Sequence, residues 1–543
     1  MKRILVAVLL GFAMPAAAPA QSQQVHAGVT THFSQGWPAR LMASARAIGT
    51  DSIRDSLHWP KIEKVRGQYL FTDSNSAHVA RACAAGMTVL LGIEPRNPLY
   101  DGGTTAYSPT GQAAFANYIQ AIAKRYPGCV VAIEVGNEIN GRGGMTGPAA
   151  SNRYASHTEL LKAVHDRVKP SHPGLQILGG STNTIATGFL AKLFAAGALD
   201  YLDGVVVHPY RNDPEGVDRE IGRLREVMVQ AGQVKPIWAT EFSRDFATPE
   251  DAAPFYIKMT SLMQGAGIRD HYWYALVDQK WFPTMGLLTL AGAQKPASRA
   301  FAFAAANLAP LGPARRIEHG DATLFHFRYG NGADVVWGGR RQLVTQGTPS
   351  FFRADGTPIA APAEIGDKPV IILGASAISF GPQQIVADSL YGFAQAPLTW
   401  FARRDVTGVM LPLAQVDWQW TTYLGNPSVP NLAVNYAGIG PASRTSAVVR
   451  YTADAAASFD VSLCLIPLGT TGDGTTASLV HNGATLWSEP VGALTGKRTV
   501  RAPVAVRRGD TVDFVLSPNA TPAGDRMRYR FRLSRSSLDA AGC

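Results

Sequence analysis

Residues 130–140 read "VVAIEVGNEIN", and the fold turns on how that run is taken. From Val130 to Val135 it is apolar with one interruption, Glu134. It is too continuous for a strand wetted on one face and too short for a helix. Such a run suits a strand of a parallel sheet covered by helices on its faces. The stretch before it, "AAFANYIQAIAKRY" at 113–126, has helical spacing, and the same alternation recurs in both directions along the chain. The other strand-like runs are "HAGVTTHF" (26–33), "DSIRDSLHW" (51–59), "MTVLLGIE" (87–94), "LQILGGS" (175–181), "LDGVVVHPY" (202–210), "KPIWATEF" (235–242) and "DHYWYALVD" (270–278). Most are separated by amphipathic stretches, several of which end in glycine just before the next run, as a helix stop would. Eight such alternations in one unit predict a closed (β/α)8 TIM barrel rather than an open doubly wound sheet. A dinucleotide fold is disfavoured further, because no G-x-G-x-x-G follows the first run.

Beyond residue 311 the texture changes to short strand-like runs punctuated by Gly, Pro, Asp and Asn, which is all-β material. A second shift falls near residue 386. The expected organisation is a signal peptide at 1–20, a catalytic barrel at 21–305, a small β-domain packed on it at 306–385, and a C-terminal β-sandwich at 386–543. At 543 residues, 46% of them hydrophobic, the chain has the material for several cores. The leader combines Lys2 and Arg3, an apolar run and small residues up to Ala20, so export to the periplasm or beyond is expected. In an oxidising compartment Cys83, Cys129, Cys464 and Cys543 become disulfide candidates, and pairing within domains gives Cys83–Cys129 and Cys464–Cys543. None sits in a C-x-x-C pair, so zinc is not expected.

A parallel barrel gathers its functional side chains at the C-terminal ends of its strands. Those ends supply Arg54 on the second run, Asn137 and Glu138 on the fourth, His208 and Tyr210 on the sixth, Glu241 on the seventh, and Trp273 and Asp278 on the eighth. Two carboxylates facing each other across the mouth suit glycosidic bond cleavage, in which one protonates the leaving oxygen and the other attacks or activates water.

"EVGNEIN" on the fourth strand with "IWATEFS" on the seventh resembles the clan A glycoside hydrolases. The wider pattern, "SLHWPKIEKVRGQYLFTD", "GVVVHPY", and "WYALVDQ" followed by "MGLLT" and "QKPASRAF", resembles family 39 and related exopolysaccharide glycosidases over residues 27 to about 310. That resemblance implies a retaining mechanism with Glu138 as acid/base and Glu241 as nucleophile. It further implies that Arg54 keeps Glu241 ionised, Asn137 binds the hydroxyl beside the reacting carbon, Tyr210 or His208 orients the nucleophile, and Trp273 offers an apolar face to the sugar. One departure is Gly136, where relatives often carry an aromatic residue. Glu134, of the same strand parity as Glu138 but deeper, is expected to be a buried structural carboxylate.

The expected activity is therefore hydrolysis of β-glycosidic bonds in a polysaccharide or oligosaccharide. Transglycosylation by the same pair, or a noncatalytic glycan-binding or export accessory role, are the other readings. No metal or organic cofactor is required by a two-carboxylate mechanism. The formal charge of +10 is spread singly along the chain, so no nucleic-acid partner is expected, nor any membrane span after the leader, and a monomer is expected. Trp37, Trp59, Tyr100, Tyr107 and Trp281 could line an extended cleft or equally pack in the core. For Trp418, Trp420 and Tyr423 of the last domain, sandwich core is the expectation, with a glycan platform as the alternative.

Overall fold

The computed structural model describes residues 24–535. The expected leader and Cys543 lie outside the described residues. Eight parallel strands close on themselves in chain order: β1 (His26–Thr30), β2 (Ser52–Asp55), β3 (Thr88–Ile93), β4 (Val130–Val135), β5 (Gln176–Asn183), β6 (Gly204–His208), β7 (Ile237–Phe242) and β8 (Asp270–Trp273). Helices lie between them, and the TIM barrel expected from the alternation is present.

Side chains alternate between the barrel interior and the helix ring. Leu90, Ala132, Leu178, Val206, Trp238 and Tyr272 form an apolar inner layer. β1 gives Gly28 beside Tyr272, because a side chain there would sit 2.3 Å from the Tyr272 ring. Ser52 of β2 meets the Tyr272 hydroxyl at 3.0 Å, which satisfies a phenol that burial would otherwise leave bare. The alternate residues, among them Val29, Ile53, Leu91, Ile133, Ile177 and Val207, pack outward against the helices. Two residues beyond the inner layer, the same inward parity belongs to Thr30, Arg54, Gly92, Glu134, His208 and Thr240. A polar layer thus caps the apolar one at the C-terminal mouth.

After β8 a helix, Pro296–Asn307, leads to an antiparallel seven-stranded sheet whose strands fall between Ala314 and Phe380. The remaining strands, from Ile385 to Ser534, form an eight-stranded and a six-stranded sheet around a core that includes Trp400, Leu463, Phe514 and Phe531. All-β accessory structure therefore follows the barrel, as the punctuated texture predicts. Cys83 and Cys129 form a disulfide that ties the helix Ala77–Ala84 to the residue preceding β4. Cys464 lies on the strand Ala457–Pro467, and its expected partner is outside the described residues. No helix among the described residues is long and apolar enough to cross a membrane.

Candidate active site

The chain leaves β4 by a forced turn. Gly136 has φ +79° and Glu138 itself φ +45°, the left-handed region that a glutamate enters at a penalty of about 1–3 kcal/mol. Three backbone hydrogen bonds hold it there: Gly136 N–H to Ile93 O (2.9 Å), Ile139 N–H to Ser181 O (2.9 Å) and Gly141 N–H to Glu138 O (2.8 Å). The departure at Gly136 thus has a backbone reason, since an aromatic residue would be strained at that φ.

Arg54 is the hub of the polar layer. It grips Glu134 with two hydrogen bonds (Nε to Oε2, 2.8 Å; Nη2 to Oε1, 3.0 Å), reaches Glu241 Oε1 through Nη1 at 2.5 Å, and donates from Nη2 to Asn137 Oδ1 at 2.9 Å. Gly92 makes room for this guanidinium, because a side chain there would lie 3.3 Å from Nη2. Burial works against both the cation and the Glu134 anion. Their mutual attraction wins, so the Arg54 pKa rises above its ordinary value and that of Glu134 falls far below the usual carboxylate range. Glu134 is thus buried, as its place in the strand predicts, and Arg54 lies beside Glu241. Tyr210 donates its hydroxyl to Glu241 Oε2 at 2.6 Å, which gives both oxygens of Glu241 a donor.

His208 is wholly buried between three carboxylates. Its Nδ1 lies 3.3 Å from Glu138 Oε1 and 3.7 Å from Glu241 Oε2, and its Nε2 lies 3.0 Å from Thr240 Oγ1 and 3.4 Å from Glu134 Oε1. Burial alone would lower its pKa, but the charge of Glu241 and the hydrogen bonds to Glu134 and Glu138 raise it to about 9. The Glu138 carboxyl is held below its ordinary value. Its partial burial is outweighed by His208 and by the amide of Asn183, which donates to Oε1 at 2.7 Å.

A stability consequence has a definite sign. A histidine raised from 6.5 to about 9 contributes stability that is fully present below pH 6.5 and is lost as pH rises through about 9. The shift corresponds to a contribution on the order of 3 kcal/mol. Urea unfolding at pH 6 and pH 10 is expected to show that loss in the wild type and a much smaller one in His208→Gln; equal losses in both would remove His208 as its source.

Glu138, Glu241, Arg54, Asn137 and Tyr210 line one cleft of about 830 Å³, and His208 buttresses it from beneath. Trp273 does not join them. It is buried on the outer side of β8 among Phe242, Phe246, Phe255 and Tyr256, with its Nε1–H donated to Met285 O at 2.9 Å. Its parity is opposite to that of Tyr272, so it faces the helices. The aromatic wall is instead Tyr274, two residues past Tyr272, with Phe282. Trp59 and Tyr100 are core residues stacked at 5.4 Å, whereas Trp281 is 78% exposed. Asp278 pairs with Lys295 at 2.7 Å and accepts from Gly286 N–H, which fixes the loop after β8.

Sequence reading missed Asn183, because strand five continues past "LQILGGS" through a register shift between Gly179 and Thr182. For the segment 417–420, where it expected core packing, sequence reading missed contacts with the barrel: Asp417 pairs with Arg223, Trp418 O accepts from Gly188 N–H at 2.9 Å, and Gln419 O accepts from Asn140 Nδ2 at 3.0 Å. Trp420 lies against Gly141. Trp418 is 48% exposed, so the core reading fails for it. The last domain therefore braces the loop that carries Glu138.

Glu138, His208 and Glu241 each place one ligand atom within 4.8 Å of the others, the one such trio found among the described residues. Arg54 and Tyr210 occupy Glu241, Asn183 occupies Glu138 and Thr240 occupies His208, and the guanidinium already supplies the local cation. Each member of the trio thus already has a hydrogen-bonding or ionic partner within the protein.

No family model matches the chain, and no curated protein does. Among solved structures, a family 39 glycoside hydrolase from the gut symbiont Bacteroides cellulosilyticus WH2 is similar at 17% identity, over 65% of this chain and 81% of that one, with a TM-score of 0.54. A family 39 β-xylosidase from Caulobacter crescentus (15% identity, 68% and 98% covered, TM-score 0.47) and a family 30 endoxylanase from Clostridium papyrosolvens C71 (14%, 65% and 97%, 0.48) are further matches. The chain has the fold of a clan A glycoside hydrolase.

Proposed function

We propose that the protein is a retaining glycoside hydrolase that cleaves β-glycosidic bonds in an oligosaccharide or polysaccharide. The observation that carries this reading is that carboxylate oxygens of Glu138 and Glu241 lie within 4.8 Å of each other. Retaining enzymes separate their carboxyl groups by about 5 to 5.5 Å and inverting ones by about 6.5 to 9.5 Å, to admit a water. In the first step a Glu241 oxygen bonds to the anomeric carbon as Glu138 gives its proton to the departing oxygen. In the second, water attacks that carbon, Glu138 takes the water's proton, and the bond to Glu241 breaks.

Both oxygens of Glu241 are fixed, by Arg54 and Tyr210, so the attacking atom is positioned before substrate arrives. The proton for the first step rests on His208 in the free site, 3.3 Å from Glu138 Oε1. It passes to Glu138 when substrate covers that carboxylate, because desolvation raises the carboxyl pKa and lowers that of the imidazole. Glycosylation of Glu241 then removes the charge that most favours a cationic His208. Bacterial exopolysaccharide or plant-wall β-glycan is the substrate class proposed, and Tyr274 and Phe282 offer the sugar its apolar wall. Export is proposed too, on the leader sequence and on the Cys83–Cys129 bridge, which suits an oxidising compartment.

The test is proton NMR of the first-formed product on a panel of β-glycans and aryl β-glycosides. Retained anomeric configuration is expected; an inverted product would overturn the mechanism, and no hydrolysis of any member would overturn the activity.

A further inference from the structure

In the C-terminal sandwich one buried carboxylate has nothing to neutralise it. Asp525 is 1% exposed, and neither of its carboxylate oxygens has a hydrogen-bond partner. Among the described residues no lysine, arginine or histidine pairs with it. Burial and the like charge of nearby Asp473 both disfavour its ionised form, and no donor offsets that cost. A buried carboxylate with neither oxygen partnered calls for an explanation.

Its surroundings offer acceptors. Asp473, on the facing loop, is held in place by Ala520 N–H (2.7 Å), Thr521 N–H (3.1 Å) and Thr521 Oγ1 (3.1 Å). The two loops meet backbone to backbone. A side chain at Gly524 would lie 1.8 Å from Thr471 O, one at Gly472 would lie 2.2 Å from Ala523 O, and one at Gly469 would lie 2.2 Å from Gly524 O. Glycine at these positions lets carbonyl oxygens of each loop approach the backbone of the other, next in sequence to the two aspartates.

We propose that this seam binds a hard divalent cation of the calcium class, with Asp525 as its buried anionic ligand and Asp473 and loop carbonyls completing an all-oxygen shell. Oxygen-only donors select against zinc and copper. Irregular loops supply the flexible geometry that calcium accepts and that magnesium, which demands a near-ideal octahedron, does not. The cation would pin the loop between the strands Ala457–Pro467 and Thr475–His481 to the loop before Met527–Ser534.

The experiment uses the full chain, stripped with EDTA, dialysed, and titrated with calcium chloride or magnesium chloride by calorimetry and by thermal melting. One calcium per chain is expected. A rise in the sandwich melting transition on the order of 5 °C is expected at calcium a hundredfold above its dissociation constant. Asp525→Asn is expected to abolish the response yet to be at least as stable as the wild type in EDTA, since it removes a bare charge. Asp473→Asn, at an exposed position, is expected to fold normally and to weaken calcium binding at least tenfold, and it carries the test should the first variant fail to fold. No binding by the wild type, an equal response to magnesium, or an undiminished response in these variants overturns the proposal. None of these readouts depends on glycosidase activity.

Discussion

Glu138→Ala and Glu241→Ala are expected to fail in different ways on the same aryl β-glycoside. In Glu138→Ala the attacking carboxylate remains, and a good leaving group departs with little protonation, so the glycosyl–enzyme forms. Its breakdown then stalls for want of a base. General acid/base help is typically worth about 10² to 10⁴ in rate, and added azide should recover much of the second step and yield a product of retained configuration. In Glu241→Ala the covalent route is closed altogether. Azide placed in the vacated volume beside Arg54 and Tyr210 should attack directly and give the inverted glycosyl azide. Rates with and without azide, together with the product anomers, decide the matter. Exchanged anomeric outcomes would reverse the two roles, and wild-type activity in either variant would remove that residue from the mechanism.

Arg54→Met is expected to produce the largest loss of stability from any single change in the polar layer. It leaves Glu134 buried without its two-pronged partner and Glu241 without its cation. Removing one partner of a buried ion pair typically destabilises by about 3–5 kcal/mol, most of it the penalty on the stranded charge. Adding Glu134→Gln should therefore return part of the stability, with a coupling of about 0.5–3 kcal/mol in the double-mutant cycle. Activity should not return, because Glu241 still lacks its cation. Additive effects in urea unfolding would show that the two side chains do not act as a pair, and recovered activity would show that Arg54 serves only the fold.

Much of this was legible from order and parity alone. Continuous apolar runs alternating with amphipathic stretches specify parallel strands under helices, and the eightfold count specifies closure. Period-two alternation places Arg54, Glu134 and His208 on the inward side, two residues beyond the apolar layer, so their convergence follows once the strands are aligned. The same rule, applied strictly, sends Trp273 outward and Tyr274 inward. The resemblance pointed to Trp273, and the pleat decides for Tyr274.

What the tertiary structure alone decided lies where that alternation breaks. Glu241 follows the inward Thr240 and by parity should face the helices, yet a register shift between Ala239 and Phe242 turns it into the mouth. Asn183 reaches Glu138 only because β5 slips between Gly179 and Thr182. Such irregularities depend on how neighbouring strands pair, and pairing is a long-range property that no local period encodes. The bracing of the Glu138 loop by residues 417–420 is of the same kind: it joins Asn140 to Gln419 across 279 positions of chain. The sequence by itself determined which side chains could reach the barrel mouth, because alternation is built into every strand; strand register and domain packing decided which of them do.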